Sequence, residues 1–176
     1  MFVWVDESGT HTSMTRLRAR APKGERAFGS VPRNRGKNTT LIASMTLEGA
    51  MGECMAVEGS TKAFVFEAYV ERFLAPSLSP GRVVVMDNLG AHKTGRVREL
   101  IEERGCELWF LPAYSSPDLN PIEEAFSKVK GHLRKVAART REALVEAMGE
   151  ALSLVTPRDA EGWFAHCGYG HTGQYS

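Results

Sequence analysis

Val83-Val84-Val85-Met86-Asp87-Asn88 places four apolar residues in a row and follows them at once with an acid and an amide. An unbroken apolar run of this length, as opposed to an alternating one, is the pattern of a central strand covered on both faces. Downstream, Thr94 to Arg104 has helical spacing and stops at Gly105, and Glu107 to Leu111 is a second short β-prone run. Strand, helix and strand in that order predict a parallel crossover and so an α/β fold. Upstream, Phe2 to Val5 is another apolar, β-favouring run, expected to be a strand that ends at Asp6. Thr39 to Leu47 and Gly52 to Val57, separated by Glu48-Gly49-Ala50-Met51, predict a hairpin with Gly49 in its turn. The expected sheet is therefore mixed, antiparallel at its beginning and extended by parallel strands through helical crossovers.

Three further helices are expected around it. Thr61 to Leu74 carries Phe64, Val65, Ala68, Tyr69, Phe73 and Leu74 at helical spacing, with Ser60 or Thr61 as N-cap and Pro76 as the stop. From Asn120, the residues Ile122, Phe126, Val129, Leu133 and Val136 recur every three or four positions, a stripe to be packed on the sheet. A helix over about 141–154 precedes an irregular tail. Residues 8 to 37 are rich in Gly, Ser, Thr, Pro, Arg and Lys; weak alternation over 14–20 suggests a strand followed by a long basic loop.

A chain of 176 residues with 43% hydrophobic and 24% charged residues fits one soluble globular domain. The start carries no basic leader and no apolar run approaches membrane-spanning length, so a cytoplasmic protein without membrane association is expected. Cys54, Cys106 and Cys167 are odd in number and far apart, which fits reduced thiols and argues against a disulfide framework or zinc ribbon. Net charge is only +1, but it is unevenly spread. Eight cations fall between positions 16 and 37 against the single acid Glu25, and Lys128, Lys130, Arg134, Lys135, Arg139 and Arg141 form a second cluster after Glu123. On an extended strand Arg16, Arg18 and Arg20 would all point to one side. Either run alone is read as a solvated surface or as a phosphate-binding one.

The two apolar strands Phe2 to Val5 and Val83 to Met86 each run directly into an aspartate. Ligands of open α/β sheets sit beyond the carboxyl ends of parallel strands, so Asp6 and Asp87 would share one rim if these strands are neighbours. Like charges placed together need a proton or a cation to neutralise them, and hard divalent cations take oxygen ligands. The alternative is that each aspartate only caps the turn after it. Glu123 is a third acid, near a helix start; there Asn120, Pro121 and Glu123 also fit an N-cap, a first-turn proline and a capping box. Spacing alone leaves chemistry and capping in competition.

The segments Val5-Asp6-Glu7-Ser8, Val85-Met86-Asp87-Asn88 with His92 following, and Ser116-Pro117-Asp118-Leu119-Asn120-Pro121-Ile122-Glu123 resemble, in order and spacing, the catalytic blocks of mariner-like DDE transposases, the bacterial insertion-sequence branch above all. The 35 residues between Asp87 and Glu123 match that family's separation of its second and third acids, and the resemblance runs from Phe2 to about Tyr169. It implies a ribonuclease-H-like mixed five-stranded sheet flanked by helices. It also implies that Asp6, Asp87 and Glu123, in preference to Glu124, are catalytic and hold two Mg²⁺ ions, with Mn²⁺ as a substitute, for cleavage and strand transfer of DNA. Partners implied are transposon ends and target DNA, commonly at a TA dinucleotide, with a homodimer on the DNA. Arg16, Arg18, Arg20, Lys128 and Lys130 are candidates for phosphate contacts. Asn88 and His92 are candidates for orienting the site. Because the first catalytic strand begins at residue 2, the helix-turn-helix DNA-binding region of full-length members is expected to be absent, leaving a fragment, a frameshifted half that needs a separate DNA-binding half, or a decayed copy.

Rival readings are weaker. Asp6-Glu7-Ser8 as an aspartyl-nucleophile phosphatase loop wants a second aspartate where Ser8 stands. A non-catalytic DNA-binding remnant is opposed by intact acids at all three motif positions. Gly168-Tyr169-Gly170-His171-Thr172-Gly173 matches a dinucleotide-binding expression but follows no strand. His166, Cys167 and His171 lack a fourth ligand for zinc. Trp4, Trp109 and Trp163 are expected in the core.

Overall fold

The computed structural model describes residues 1–34, 36–48, 50–112 and 119–169. Five strands form one sheet in the order β3-β2-β1-β4-β5: β1 (Phe2–Thr10), β2 (Thr39–Thr46), β3 (Ala50–Glu58), β4 (Val83–Met86) and β5 (Glu107–Phe110). β1, β2 and β3 pair antiparallel, while β4 runs parallel to both β1 and β5. The mixed sheet expected from the sequence is the observed one. Gly49, expected in the hairpin turn, lies outside the described residues; its neighbour Ala50 has φ 58°, in the left-handed region.

β1 does not end at Asp6. Its parallel ladder with β4 covers Phe2 to Val5 against Val83 to Met86, but β2 goes on pairing as far as Thr10 with Thr39. Asp6 therefore stands inside a strand, at the point where the parallel partner stops. The strand expected over 14–20 is absent: the described residues 11–34 and 36–38 form neither helix nor strand.

Alternation along the strands divides the core. Trp4, Leu41, Ala43, Met45 and Val85 face one side, where they meet Ile122, Phe126, Val129 and Leu133 of α4 (Pro121–Val136) and Leu144 and Met148 of α5 (Arg141–Ser153). Val3, Val5, Ile42, Val84 and Met86 face the other, against α1 (Ala63–Tyr69) and α3 (Gly95–Glu102). Val136, expected in the α4 stripe, is 45% exposed. α1 begins after Lys62, without a side-chain cap from Ser60 or Thr61, and continues through a π-helical stretch, Val70–Leu74, into a last turn α2 (Ala75–Ser77). Pro76 thus lies within the helix. It has no N–H to donate, and the wider turn before it, in which the Ala75 N–H reaches back to the Val70 carbonyl, accommodates it. The buried face is Phe66, Tyr69, Val70 and Leu74, while Phe64 and Phe73 are exposed. Trp109 is also exposed, on edge strand β5, whereas Trp4 is buried.

The tail is not irregular. α6 (Pro157–His166) opens with a capping box in which the Thr156 hydroxyl accepts from the Asp159 N–H at 3.2 Å and Asp159 accepts from the Thr156 N–H at 2.8 Å. Thr156-Pro157-Arg158-Asp159 carries that signal in the sequence. Thr156→Ala is expected to cost about 1 kcal/mol of stability, read by urea unfolding.

Candidate active site

Asp6 and Asp87 each lie one residue beyond the paired couple Val5 and Met86, so the parallel register brings them to the same end of the two neighbouring strands. They continue the rows of Trp4 and Val85, whose side chains meet α4. The start of α4 is anchored there by buried Pro121 and Ile122, which brings Asn120 and Glu123 to the same rim.

Asp6 is buried, at 5% exposure. One of its oxygens accepts the Glu7 N–H at 2.7 Å and the other accepts Asn120 Nδ2 at 2.7 Å. Burial pushes its carboxyl up to about 7; the Glu7 N–H opposes this, and the charges of Asp87 and Glu123 add to the rise.

The capping alternatives are resolved differently at each acid. Asp87 does accept the Leu89 N–H, at 3.0 Å, through Oδ1. The same oxygen is 2.6 Å from His92 Nδ1, an ion-pair contact outside the alignment of a hydrogen bond. Among the described residues its Oδ2 takes no hydrogen bond. Asn120 does not cap α4 with its side chain, which is turned to Asp6 instead, and only its carbonyl accepts from the Glu123 N–H, at 3.1 Å. No capping box forms, and the Glu123 carboxylate makes no hydrogen bond or ion pair among the described residues. Glu124 is 3.8 Å from His166, so it is the engaged member of the pair.

His92 is fully buried, its ring 4.1 Å from that of Phe66, and its Nε2 lies 3.2 Å from Glu7 Oε1. Burial pulls its pKa down, but the carboxylates of Asp87 and Glu7 outweigh burial and hold it up at about 9. At Asp87 burial pushes the carboxyl up, but His92, the Leu89 N–H and the Lys93 charge together keep it below its ordinary range. Asn88 Nδ2 donates to the Leu111 carbonyl and ties the ends of β4 and β5 together. His92 thus touches Asp87 itself, whereas Asn88 touches only the backbone beside it. Glu7 and Asn120 escaped sequence reasoning as site residues. An acid directly after Asp6 was the signal for Glu7, whereas the helix-start pattern concealed Asn120.

Ser116, Pro117 and Asp118 of the motif, and His171, lie outside the described residues. Among the described residues no three His, Cys, Asp or Glu side chains are placed closely enough to hold a metal ion. Ser8 is buried within β1, so residues after Asp6 form no phosphatase loop. Lys128, a candidate phosphate contact, is ion-paired with Asp159 at 2.6 Å, whereas Arg16, Arg18, Arg20 and Lys130 have no ion pair among the described residues. No described helix is long and apolar enough to cross a membrane.

A mixed sheet in this order, flanked by helices and carrying acids where its parallel ladder ends, defines a ribonuclease-H-like protein. A family model described as DDE superfamily endonuclease matches residues 1–145, and the chain belongs to that family. The transposable element Tcb1 transposase of Caenorhabditis briggsae is 27% identical over 107 residues, 58% of this chain and 39% of that protein. Two solved structures share the fold, each with a TM-score of 0.71 at 19% identity over 94% of this chain and 52% of the other: the Mos1 transposase paired-end complex with left transposon end, and the Mos1 mariner paired end complex with Mn. The chain thus spans only part of the length of those transposases.

Proposed function

We propose that this chain is the catalytic domain of a transposase of the bacterial insertion-sequence branch, acting in the cytoplasm, which cuts DNA and joins the freed 3′-hydroxyl to target DNA. Asp6, Asp87 and Glu123 are its catalytic residues and the ligands of two divalent cations, Mg²⁺ or Mn²⁺. The observation that carries this reading is Asp6: a buried carboxylate beside Asp87 and near Glu123, with a proton affinity raised to about 7, in a setting that favours a cation. Asn120 Oδ1, buried and without a partner among the described residues, is a further oxygen acceptor at the same place. The donor set is all oxygen, as hard cations require. The Mos1 complex solved with Mn supports the same metal class.

Bound ions would supply Lewis acidity at the scissile phosphate and an activated water or 3′-hydroxyl nucleophile. The protein's part is orientation. Asn120 and the Glu7 N–H fix the Asp6 carboxylate, and His92, braced by Glu7 and packed on Phe66, fixes Asp87. Glu123, free of protein partners among the described residues, is held at the head of α4.

The purified chain, given labelled duplex DNA with Mg²⁺ or Mn²⁺, is expected to nick it, and Asp6→Ala, Asp87→Ala and Glu123→Ala are each expected to lose nicking by at least about 10³-fold. Equal nicking in all four proteins would overturn the assignment. DNA binding without nicking by the parent would replace it with a non-catalytic remnant.

A further inference from the structure

Four basic side chains of the second half of the molecule have acidic partners. Arg96 pairs with Glu71 and Glu99, Arg98 with Glu102, Lys128 with Asp159, and Arg141 lies near Glu58. One place is different. Arg16, Leu17, Arg18, Gly131, Arg134 and Lys135 line a groove of about 590 Å³ between the segment after β1 and the C-terminal half of α4. Arg33 continues it in an adjoining hollow that also includes Arg134. No acidic residue lines either space, and none of these five cations has an ion pair among the described residues.

The groove is rooted. Met14 and Ser13 are buried, and Arg139 Nη1 donates to the carbonyls of Thr12 at 2.9 Å and Met14 at 3.3 Å, fixing the start of the basic segment beside α4. Cations gathered without counter-charge repel one another and concentrate a positive potential, an arrangement that a polyanion relieves. The spacing fits duplex DNA. Arg134 follows Glu123 on the same helix by about 16 Å of rise, which is under half of a B-DNA turn. A duplex laid along α4 would reach the acidic site and the groove together.

We propose that this groove holds the phosphate backbone of duplex DNA while the neighbouring stretch of that duplex lies at the acidic site. The inference rests on the nuclease reading above. It moves the phosphate contacts on α4 away from Lys128, which Asp159 occupies, to Arg134 and Lys135.

The test is fluorescence anisotropy of the full chain on a labelled duplex across a salt series, in EDTA so that cleavage plays no part. The variant Arg16→Gln/Arg18→Gln/Arg134→Gln/Lys135→Gln is compared with a control, Arg96→Gln/Arg98→Gln, and circular dichroism confirms that both fold. The slope of log affinity against log salt is expected to fall by about 2 to 4 in the groove variant and to stay unchanged in the control. An unchanged slope in the groove variant, an equal fall in the control, or no duplex binding by the parent overturns the proposal. A lower slope in the groove variant of a parent that never nicks would keep the groove and reject the nuclease, and nicking with an unchanged slope would do the reverse.

Discussion

Asp6→Asn is expected to stabilise the metal-free protein at pH 8, by up to about 4 kcal/mol, while abolishing DNA cleavage. The ordinary value for this carboxyl is 3.8 and the folded protein raises it to about 7, chiefly through burial. In the metal-free protein a proton is therefore held more tightly folded than unfolded. The stability that goes with it is complete below about pH 3.8, fades between 3.8 and 7, and is gone above 7. An amide never ionises and avoids that loss. It also keeps its hydrogen bonds, because Asn120 can turn its own amide to offer Oδ1, which otherwise has no partner among the described residues. Urea unfolding in EDTA should show variant and parent diverging from pH 4 to 7 and running parallel above. Adding Mg²⁺ should then raise the parent alone. A variant less stable than the parent at pH 8 would mean that the Asp6 carboxylate serves the fold and not a cation.

His92→Leu is expected to cost about 3 kcal/mol and to lower nicking by about 10- to 100-fold. The substitution fills the space beside Phe66 but leaves Asp87 and Glu7 facing each other without the cation that separates them. The pH dependence has the same sign as that of Asp6 but lies at higher pH. With a folded value of about 9 against an ordinary 6.5, the His92 contribution is complete below 6.5 and is lost as pH rises through 9. The stability gap between parent and variant should therefore shrink from pH 6 to 9.5. A gap that is constant with pH would assign His92 to packing alone.

Much of the sheet was legible because its strands are marked by composition: the run Val83 to Met86 reads as buried on both faces, and it is. The end of β1 was not legible, since which partner a strand keeps beyond Val5 is decided by β2, thirty-odd residues away. Pro76 misled for a related reason, as the π turn that accommodates it is a property of the packed helix. At the site, Asp6, Asp87 and Glu123 stood out by motif, and His92 by position. Asn120 did not, because Asn before Pro at a helix start satisfies a capping pattern fully, and only the fold shows its side chain turned to Asp6. The meeting of the two basic runs in one groove was equally hidden, since the described residues 11–34 and 36–38 join no sheet and the start of the segment is placed by Met14 and Arg139.

Titration of Mn²⁺ into the metal-free chain, followed by electron paramagnetic resonance, tests most directly whether the three acids form one cation site. The account predicts binding by the parent, weakened at least about tenfold in each of Asp6→Ala, Asp87→Ala and Glu123→Ala. Equal Mn²⁺ affinity in the parent and all three variants would contradict it.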